Sequence, residues 1–320
     1  MKKLPTTILK DENGQDFALT NLLGDYWVLH FYPKIGTSTS TMQAERFNEL
    51  FEEFDERIVA ISLDLPEVIA PFKAKHKLKF KLLSDVKMEL AGQLGIVKNG
   101  RLSRSTFITD PWGRIRKEWF NVKASTHVKQ VLEEFKKTIE EDLSINPSIF
   151  QRRAFRGLRS EPIEDEKLLR LIEAAHLAPS CANKQPWRFI VVRSREYLGK
   201  LHEALSGGNY WMKYAPAIVV VYTKDEFDCQ LSENRNYALF DTGLAVGFLL
   251  IQATQMGLVA HPVAGYDPVK VKEIFDIDGN VITLIAIGKW GKFDQLNEKH
   301  LEAEKSARNR QELSQIMKIV

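Results

Sequence analysis

Pro33-Lys34-Ile35-Gly36-Thr37-Ser38-Thr39-Ser40-Thr41 separates two segments of opposite character. Upstream, Tyr26-Trp27-Val28-Leu29-His30-Phe31-Tyr32 is an apolar and aromatic run of the length of a buried strand. Downstream, Phe47, Leu50, Phe51 and Phe54 recur at helical spacing. A strand, a polar connection and an amphipathic helix together put residue 40 at a helix N-terminus. Backbone N–H donors and the positive end of the helix dipole converge there, an environment that lowers a thiol's pKa and makes it nucleophilic. The residue at that position is serine.

At 320 residues with 44% hydrophobic content the chain suits two domains, each with enough apolar residues for a core. The net charge of +3 is spread along the chain, and Lys136-Lys137 is answered by Glu140-Glu141-Asp142, so no basic face argues for nucleic acid. Two cysteines, Cys181 and Cys229, are too few for a disulfide framework, and no signal peptide precedes Leu4. A reducing, cytoplasmic location is the expectation. The longest apolar stretch, 238–253, is broken by Asp241, Thr242 and Gln252 and reads as a buried helix too short to cross a bilayer, so no membrane partner is expected. The seven histidines show no ligand spacing, and no structural metal is expected. The boundary is placed in the polar turn Asp142–Pro147, after a helix over Val128–Ile139, giving domains 1–143 and 148–320.

Phe31-Tyr32-Pro33-Lys34, Thr37 and Ser40-Thr41-x-Gln43-Ala44 resemble the active-site stretch of peroxiredoxins of the bacterioferritin-comigratory type (AhpC/TSA-like). The likeness continues through Leu83-Ser84-Asp85, Arg104-Ser105-Thr106-Phe107, Asp110 and Gly113, over about the first 140 residues. It implies a thioredoxin-like α/β domain whose catalytic set is Pro33, Thr37, Ser40 and Arg104. In the family the position of Ser40 holds the peroxidatic cysteine, and the arginine and loop threonine hold the thiolate and the peroxide. A thiolate reduces peroxide by accepting one oxygen to become sulfenic acid, a step a serine hydroxyl cannot take. Ser40 is therefore no peroxidatic residue. Two origins fit: a natural pseudo-enzyme, or a cysteine-to-serine substitution in a pocket otherwise kept intact.

From residue 148 onward the chain resembles the FMN-dependent nitroreductase family, on separated segments in family order. Arg152-Arg153-Ala154-Phe155-Arg156 matches the basic opening that grips the flavin phosphate and pyrimidine edge, with Ala154 where serine is usual. Ala178-Pro179-Ser180-Cys181-Ala182-Asn183-Lys184-Gln185-Pro186-Trp187, after a helix over 166–177, matches the string that packs on the flavin, commonly from the partner subunit. Gly208-Asn209-Tyr210 matches a ring-bonding asparagine. His261-Pro262-Val263-Ala264-Gly265-Tyr266-Asp267 matches the loop over N5, and Arg308-x-Arg310 the basic pair that closes on the phosphate. The likeness implies that Arg152, Arg153, Ala154, Arg156, Pro179, Ser180, Cys181, Asn183, Asn209, Pro262, Ala264, Gly265, Arg308 and Arg310 bind FMN, with no metal. Cys181 is read as a flavin-wall residue without redox duty and Cys229 as structural. The chemistry agrees independently of the family: convergent arginines are bidentate donors for a doubly charged phosphate, and a cation near N1 stabilises a reduced ring. Each piece alone has an ordinary alternative, such as a solvated face, a turn with an aromatic plug, or a charged tail.

The expected fold is thus an α/β thioredoxin-like domain followed by an α+β nitroreductase-fold domain. The resemblance implies a homodimer, and ping-pong transfer of hydride from NADH or NADPH to FMN and on to acceptors such as quinones, nitroaromatics or peroxides. With no second cysteine in residues 1–140, the parent of the first domain is a one-cysteine peroxidase needing an outside reductant. Candidates are the fused flavin, a thiol or an electron-carrier protein. The alternative from another class is a flavin reductase carrying a non-catalytic thioredoxin-fold docking module.

Overall fold

Alternation along the strand Trp27–Tyr32 sends Val28 and Tyr32 into one core and Leu29 and Phe31 into another, on opposite faces of a sheet. The computed structural model describes residues 2–122, 124–233 and 235–320. It divides into two units, Met1–Ser144 and Ile145–Val320.

The first unit is built on a seven-stranded sheet in the order Asp16–Ala18, Ile8–Asp11, Lys81–Ser84, Ile58–Ser62, Trp27–Tyr32, Ser105–Thr109, Ile115–Phe120. The three central strands run parallel, and the pairings on either side are antiparallel. This is the thioredoxin-like α/β arrangement expected from the sequence. One face is covered by Phe47 and Phe54 together with Val128, Val131 and Phe135 of the helix Ala124–Leu143. The other takes Leu19, Leu22, Leu90 and Leu94.

Two features of this unit position the site. The helix after the Pro33–Thr41 loop runs over Ser38–Glu49 and buries Ser40, Gln43, Ala44 and Phe47, a single stripe at helical spacing. It stops short of Phe51 and Phe54, because Asp55 and Glu56 turn left-handed (φ 51° and 59°) and Glu52–Phe54 close as one 3₁₀ turn. The other feature is the antiparallel register of Trp27–Tyr32 with Ser105–Thr109, which pairs Phe31 with Ser105 and His30 with Thr106. Arg104, one residue before that ladder, is thereby delivered to the end of the strand that feeds the loop.

The second unit is an antiparallel sheet centred on the long strand Asn280–Trp290, which pairs with Leu158–Arg159, Ala217–Thr223 and Val259–Val263. Arg188–Val192 lies outside Ala217–Thr223. Helix Asp165–His176 and helix Tyr237–Gln255 bury Leu171, Ala175, Ala245, Leu249 and Ala253 against one face. The combination is the α+β nitroreductase fold.

The reading of 238–253 as a short, buried helix is corrected here. Asn236 caps it by accepting the Leu239 N–H, so the helix spans 19 residues with mean hydropathy 1.4, enough by length and composition to cross a membrane, and only 33% of it is buried. The sheet covers one face, and Leu239, Phe240 and Phe248 remain exposed on the other.

Phe47 is fully buried between the rings of His30 and Phe54 and carries the helix that presents Ser40. Phe47→Ala is expected to cost about 3–5 kcal/mol, the range for emptying a packed aromatic site. Chemical denaturation followed by the circular dichroism of the first unit's transition measures it.

Candidate functional site

Thr37 caps the helix Ser38–Glu49, its Oγ1 accepting the Ser40 N–H at 3.2 Å and donating to Ser40 Oγ at 2.9 Å. Ser40 is fully buried and donates its own hydroxyl proton to the Lys34 carbonyl at 2.6 Å. Arg104 reaches across 64 residues of sequence to donate from Nη2 to Ser40 Oγ at 3.1 Å and from Nη1 to Gln43 Oε1 at 2.6 Å. Its guanidinium also lies 5.9 Å from the Tyr32 ring centre. Thr37 and Arg104 therefore both contact Ser40 directly. Pro33, half-buried, takes the chain out of the strand into the loop. An atom at position 40 sits against a cation, a threonine and the first turn of a helix, a geometry suited to holding an anion there.

Sequence reasoning missed the support beneath this pocket. Gln43 fixes the Arg104 fork, and its spacing from Ser40 on one helix face is the signal that could have found it. Beneath it, His30 Nδ1 and His127 Nε2 both lie 2.7 Å from Thr106 Oγ1, a buried chain of three side chains. Burial, then the neighbouring His127 and Arg104, push His30 well below the usual histidine range. Burial alone brings His127 down to about 4. Both rings are neutral at physiological pH. Arg104 is itself lowered by burial but stays cationic.

In the second unit the two ends of the domain meet. Arg308 donates to the Arg152 carbonyl, and Arg153 stacks 5.1 Å from the Phe155 ring while donating to the Ala303 carbonyl at 3.4 Å. Arg152 is lowered by burial and by the charges of Arg308, Arg310 and Arg153. Among the described residues no ion pair engages Arg152, Arg153, Arg156, Arg308 or Arg310. Concentrated, partly desolvated and unneutralised guanidinium groups call for an anion. Glu304, nearly buried and unforeseen from sequence, instead accepts the Arg156 backbone N–H at 2.7 Å and Trp290 Nε1 at 2.8 Å, which anchors this segment.

Asn209 and Gly265 also come together. Asn209 Nδ2 donates to the Gly265 carbonyl at 2.8 Å, and the Ser206 N–H donates to the same oxygen at 3.0 Å. A Cβ at Gly265 would lie 2.7 Å from Asn209 Nδ2, so only glycine allows this approach. His261 links the loop to the arginine segment, donating from Nδ1 to the Phe155 carbonyl at 3.0 Å. Burial brings it to about 4. Pro262 and Ala264 flank Gly265 on this surface, and Ala154 is exposed beside the arginines. A cavity of about 570 Å³ between Ile190–Tyr197 and Glu273–Asp276 shares no residue with either set.

Sequence comparison now bears on both constellations. The AhpC/TSA family profile matches residues 1–118 and the nitroreductase family profile residues 149–289. The first segment is 37% identical over 146 residues to the peroxiredoxin Bcp of Bacillus subtilis, covering 42% of this chain and 93% of that one. The first unit belongs to the AhpC/TSA family, and it is fused to a nitroreductase-family domain. Both domains are of oxidoreductase families. A provisionally named NADH dehydrogenase/NAD(P)H nitroreductase of Archaeoglobus fulgidus is 46% identical over 72 residues, which are 22% of this chain and 41% of that protein. A solved structure described as an oxidoreductase containing FMN has 30% identity, covers 55% of this chain and 91% of its own, and has a TM-score of 0.48.

Among the described residues no hydrogen bond joins Pro179–Asn183 to Arg152–Arg156, Asn209 or Arg308–Arg310. It is fastened instead to helix Tyr237–Gln255, where Asp241 Oδ2 accepts the Cys181 N–H at 2.7 Å. Ser180 Oγ accepts the Gln185 N–H at 3.0 Å, and Ala182, Asn183 and Gln185 are all left-handed, with φ of 47°, 56° and 51°. Cys181, read from sequence as a flavin-wall residue, and Cys229, read as structural, form a disulfide across 48 residues, with Cα atoms 6.1 Å apart. Their spacing carries no hint of this. The partners meet because Asp241 anchors one loop while Asp228, buried, anchors the other by accepting the Cys229 N–H at 2.7 Å.

The neutral histidines set a pH dependence. The unfolded chain binds protons near pH 6.5 and the folded His127 only near 4, so stability is complete above that window and falls as pH drops through it. His127→Gln is expected to recover on the order of 2–3 kcal/mol of the loss between pH 7 and pH 4. Melting temperatures of variant and parent across that range measure it, with His261 contributing equally to both.

Proposed function

We propose that the second unit is an FMN-dependent NAD(P)H oxidoreductase and that the first is a one-cysteine-type thiol peroxidase domain, silent because residue 40 is serine. The observation that carries the flavin reading is the unneutralised group of Arg152, Arg153, Arg308 and Arg310, drawn from both ends of one domain. A dianionic phosphate supplies the missing charge. Arg308 reaches the Arg152 carbonyl, and the charges of Arg308, Arg310 and Arg153 all act on Arg152, so the group lies close enough to share one phosphate. Asn209 is held by Gly265 in one orientation, which suits it to bond a flat ring at a fixed edge. Bound FMN supplies a two-electron carrier that takes hydride from NAD(P)H and gives it to an acceptor such as a quinone or nitroaromatic. The protein contributes position and charge, and no side chain need act as acid or base.

A second copy of this chain is the proposed occupant of the exposed face of helix Tyr237–Gln255. Leu239, Phe240 and Phe248 lie open there, and Gly243 and Gly247 have nothing within 4 Å of a would-be Cβ, leaving room for close helix approach. Such a dimer agrees with what the family resemblance implies for Pro179–Asn183, a string that packs on the flavin from the partner subunit.

Purified protein is expected to be yellow, with about one FMN per chain. Arg308→Ala combined with Arg310→Ala is expected to weaken FMN binding by several kcal/mol, at about 1.5–3 kcal/mol per charged hydrogen bond. Flavin fluorescence titration decides the point, and unchanged affinity makes these arginines tail charges.

For the first unit, Ser40→Cys is expected to give peroxide consumption with a small thiol, because Thr37, Arg104 and the helix N-terminus already surround the position. The serine form is expected to give none. Turnover with NAD(P)H alone, absent from a flavin-depleted control, would make the flavin the reductant. An inert cysteine variant would favour the docking-module reading.

A further inference from the structure

Three observations converge on the Cys181–Cys229 disulfide, which the flavin chemistry does not use. The first is access. Both cysteines are half-buried in surface segments, and Cys229 lines a cavity of about 250 Å³ whose walls include Asp225, Gln230, Arg235 and Tyr237. Arg235 puts a cation in the path of an incoming thiolate. The second is a proton source. Asp228 is only 5% exposed, its Oδ2 has no hydrogen-bond partner, and a carboxylate oxygen of it lies within 4.8 Å of both sulfurs. Burial and the neighbouring Asp241 carboxylate hold Asp228 above the usual carboxyl range, against the opposing pulls of the Cys229 N–H and of Lys184. One carboxylate oxygen holds the Cys229 loop, and the other, with no donor of its own and able to share a proton with Asp241, is not needed for a staple. The third is what the bond restrains: the left-handed residues Ala182, Asn183 and Gln185 on one side, and on the other the segment that ends at Asn236, the cap of helix Tyr237–Gln255.

We propose that Cys181–Cys229 is a thiol-exchange site, in which a dithiol enters the cavity beside Arg235 and attacks Cys229 while Asp228 protonates Cys181 as it leaves. The attacking thiolate forms a mixed disulfide with Cys229, and Cys181 departs with the electron pair of the S–S bond and takes the Asp228 proton. The reductant's second thiolate then attacks its own sulfur in the mixed disulfide and closes to a disulfide. Cys229 leaves as a thiolate and is protonated by water, and Asp228 regains its proton from solvent. One dithiol is oxidised, and two electrons and two protons reach the cysteine pair. Reduction removes the covalent tie between the Ser180–Gln185 loop and the Cys229 segment that leads to the helix cap, leaving the Cys181 N–H to Asp241 bond as the loop's link to the helix.

The full chain serves for the test, with dithiothreitol as the dithiol. Because position 40 is serine, the chain has two cysteines and every thiol counted belongs to this pair. Alkylation followed by intact mass is expected to find no labels in air-oxidised protein and two after native reduction, with the same midpoint approached from reduced or oxidised dithiothreitol. Two labels in air-oxidised protein, or labels that appear only in guanidinium, would overturn the proposal. The reduction rate per unit of dithiothreitol thiolate is expected to fall as pH rises through the Asp228 titration, and a pH-independent normalised rate would remove Asp228 from the reaction. Asp228→Asn is expected to slow reduction about tenfold at low pH and to flatten that profile, whereas a residue that only supports the loop would leave its shape intact. Hydrogen exchange at residues 182–185 is expected to quicken on reduction, and unchanged protection there would refute the release of the loop.

Discussion

The antiparallel pairing of Trp27–Tyr32 with Ser105–Thr109 is the constraint on which the first site rests. One register sets Phe31 opposite Ser105 and His30 opposite Thr106, so a single ladder both aims Arg104 at Ser40 and assembles the histidine–threonine chain beneath it. A slip of one residue would turn Arg104 to the other face and replace Thr106 opposite His30 with Ser105 or Phe107. The pocket and the core under it are therefore specified by the same backbone hydrogen bonds.

The two units handle charge in opposite ways. Around Ser40 the single cation is matched by neutral acceptors, the Gln43 amide and the Ser40 hydroxyl, and the histidines below are kept uncharged by burial. Around Arg152 positive charge is gathered without a carboxylate to meet it, while Glu304, the nearby buried acid, is occupied by a backbone N–H and an indole. A site whose cation is already met by neutral acceptors can wait for a transient small substrate. A site with surplus charge is incomplete until an anion stays in it.

Much of this was legible in the sequence, for physical reasons. The strand before Pro33 and the helix after it announce themselves by periodicity, and Thr37, Ser40 and Arg104 form a motif whose members do meet in space. Asn209 with Gly265, and Arg152 with Arg308, likewise come together from segments more than fifty residues apart. What stayed hidden depends on pairings that leave no local trace. Thr106 and His127 are ordinary residues until the fold brings them together, whereas Gln43 is marked by its spacing from Ser40 on one helix face. Glu304 reads as one acid among many in a charged helix. The link between Cys181 and Cys229 follows from two aspartates anchoring two loops, and no spacing encodes it. The helix from Tyr237 was underestimated because its cap, Asn236, lies outside the apolar run that drew attention to it.

A serine hydroxyl has one proton to give and two lone pairs to offer, and at position 40 all three are used: toward the Lys34 carbonyl, from Thr37 and from Arg104. A cysteine here would be a thiolate, which accepts from Arg104 and Thr37 but has no proton to give, so sulfur would leave the Lys34 carbonyl under-satisfied in a buried place. Selection for a stable fold and selection for reactivity thus pull this position in opposite directions. The oxygen atom completes the pocket's hydrogen bonding, and a sulfur atom would trade part of that completeness for chemistry.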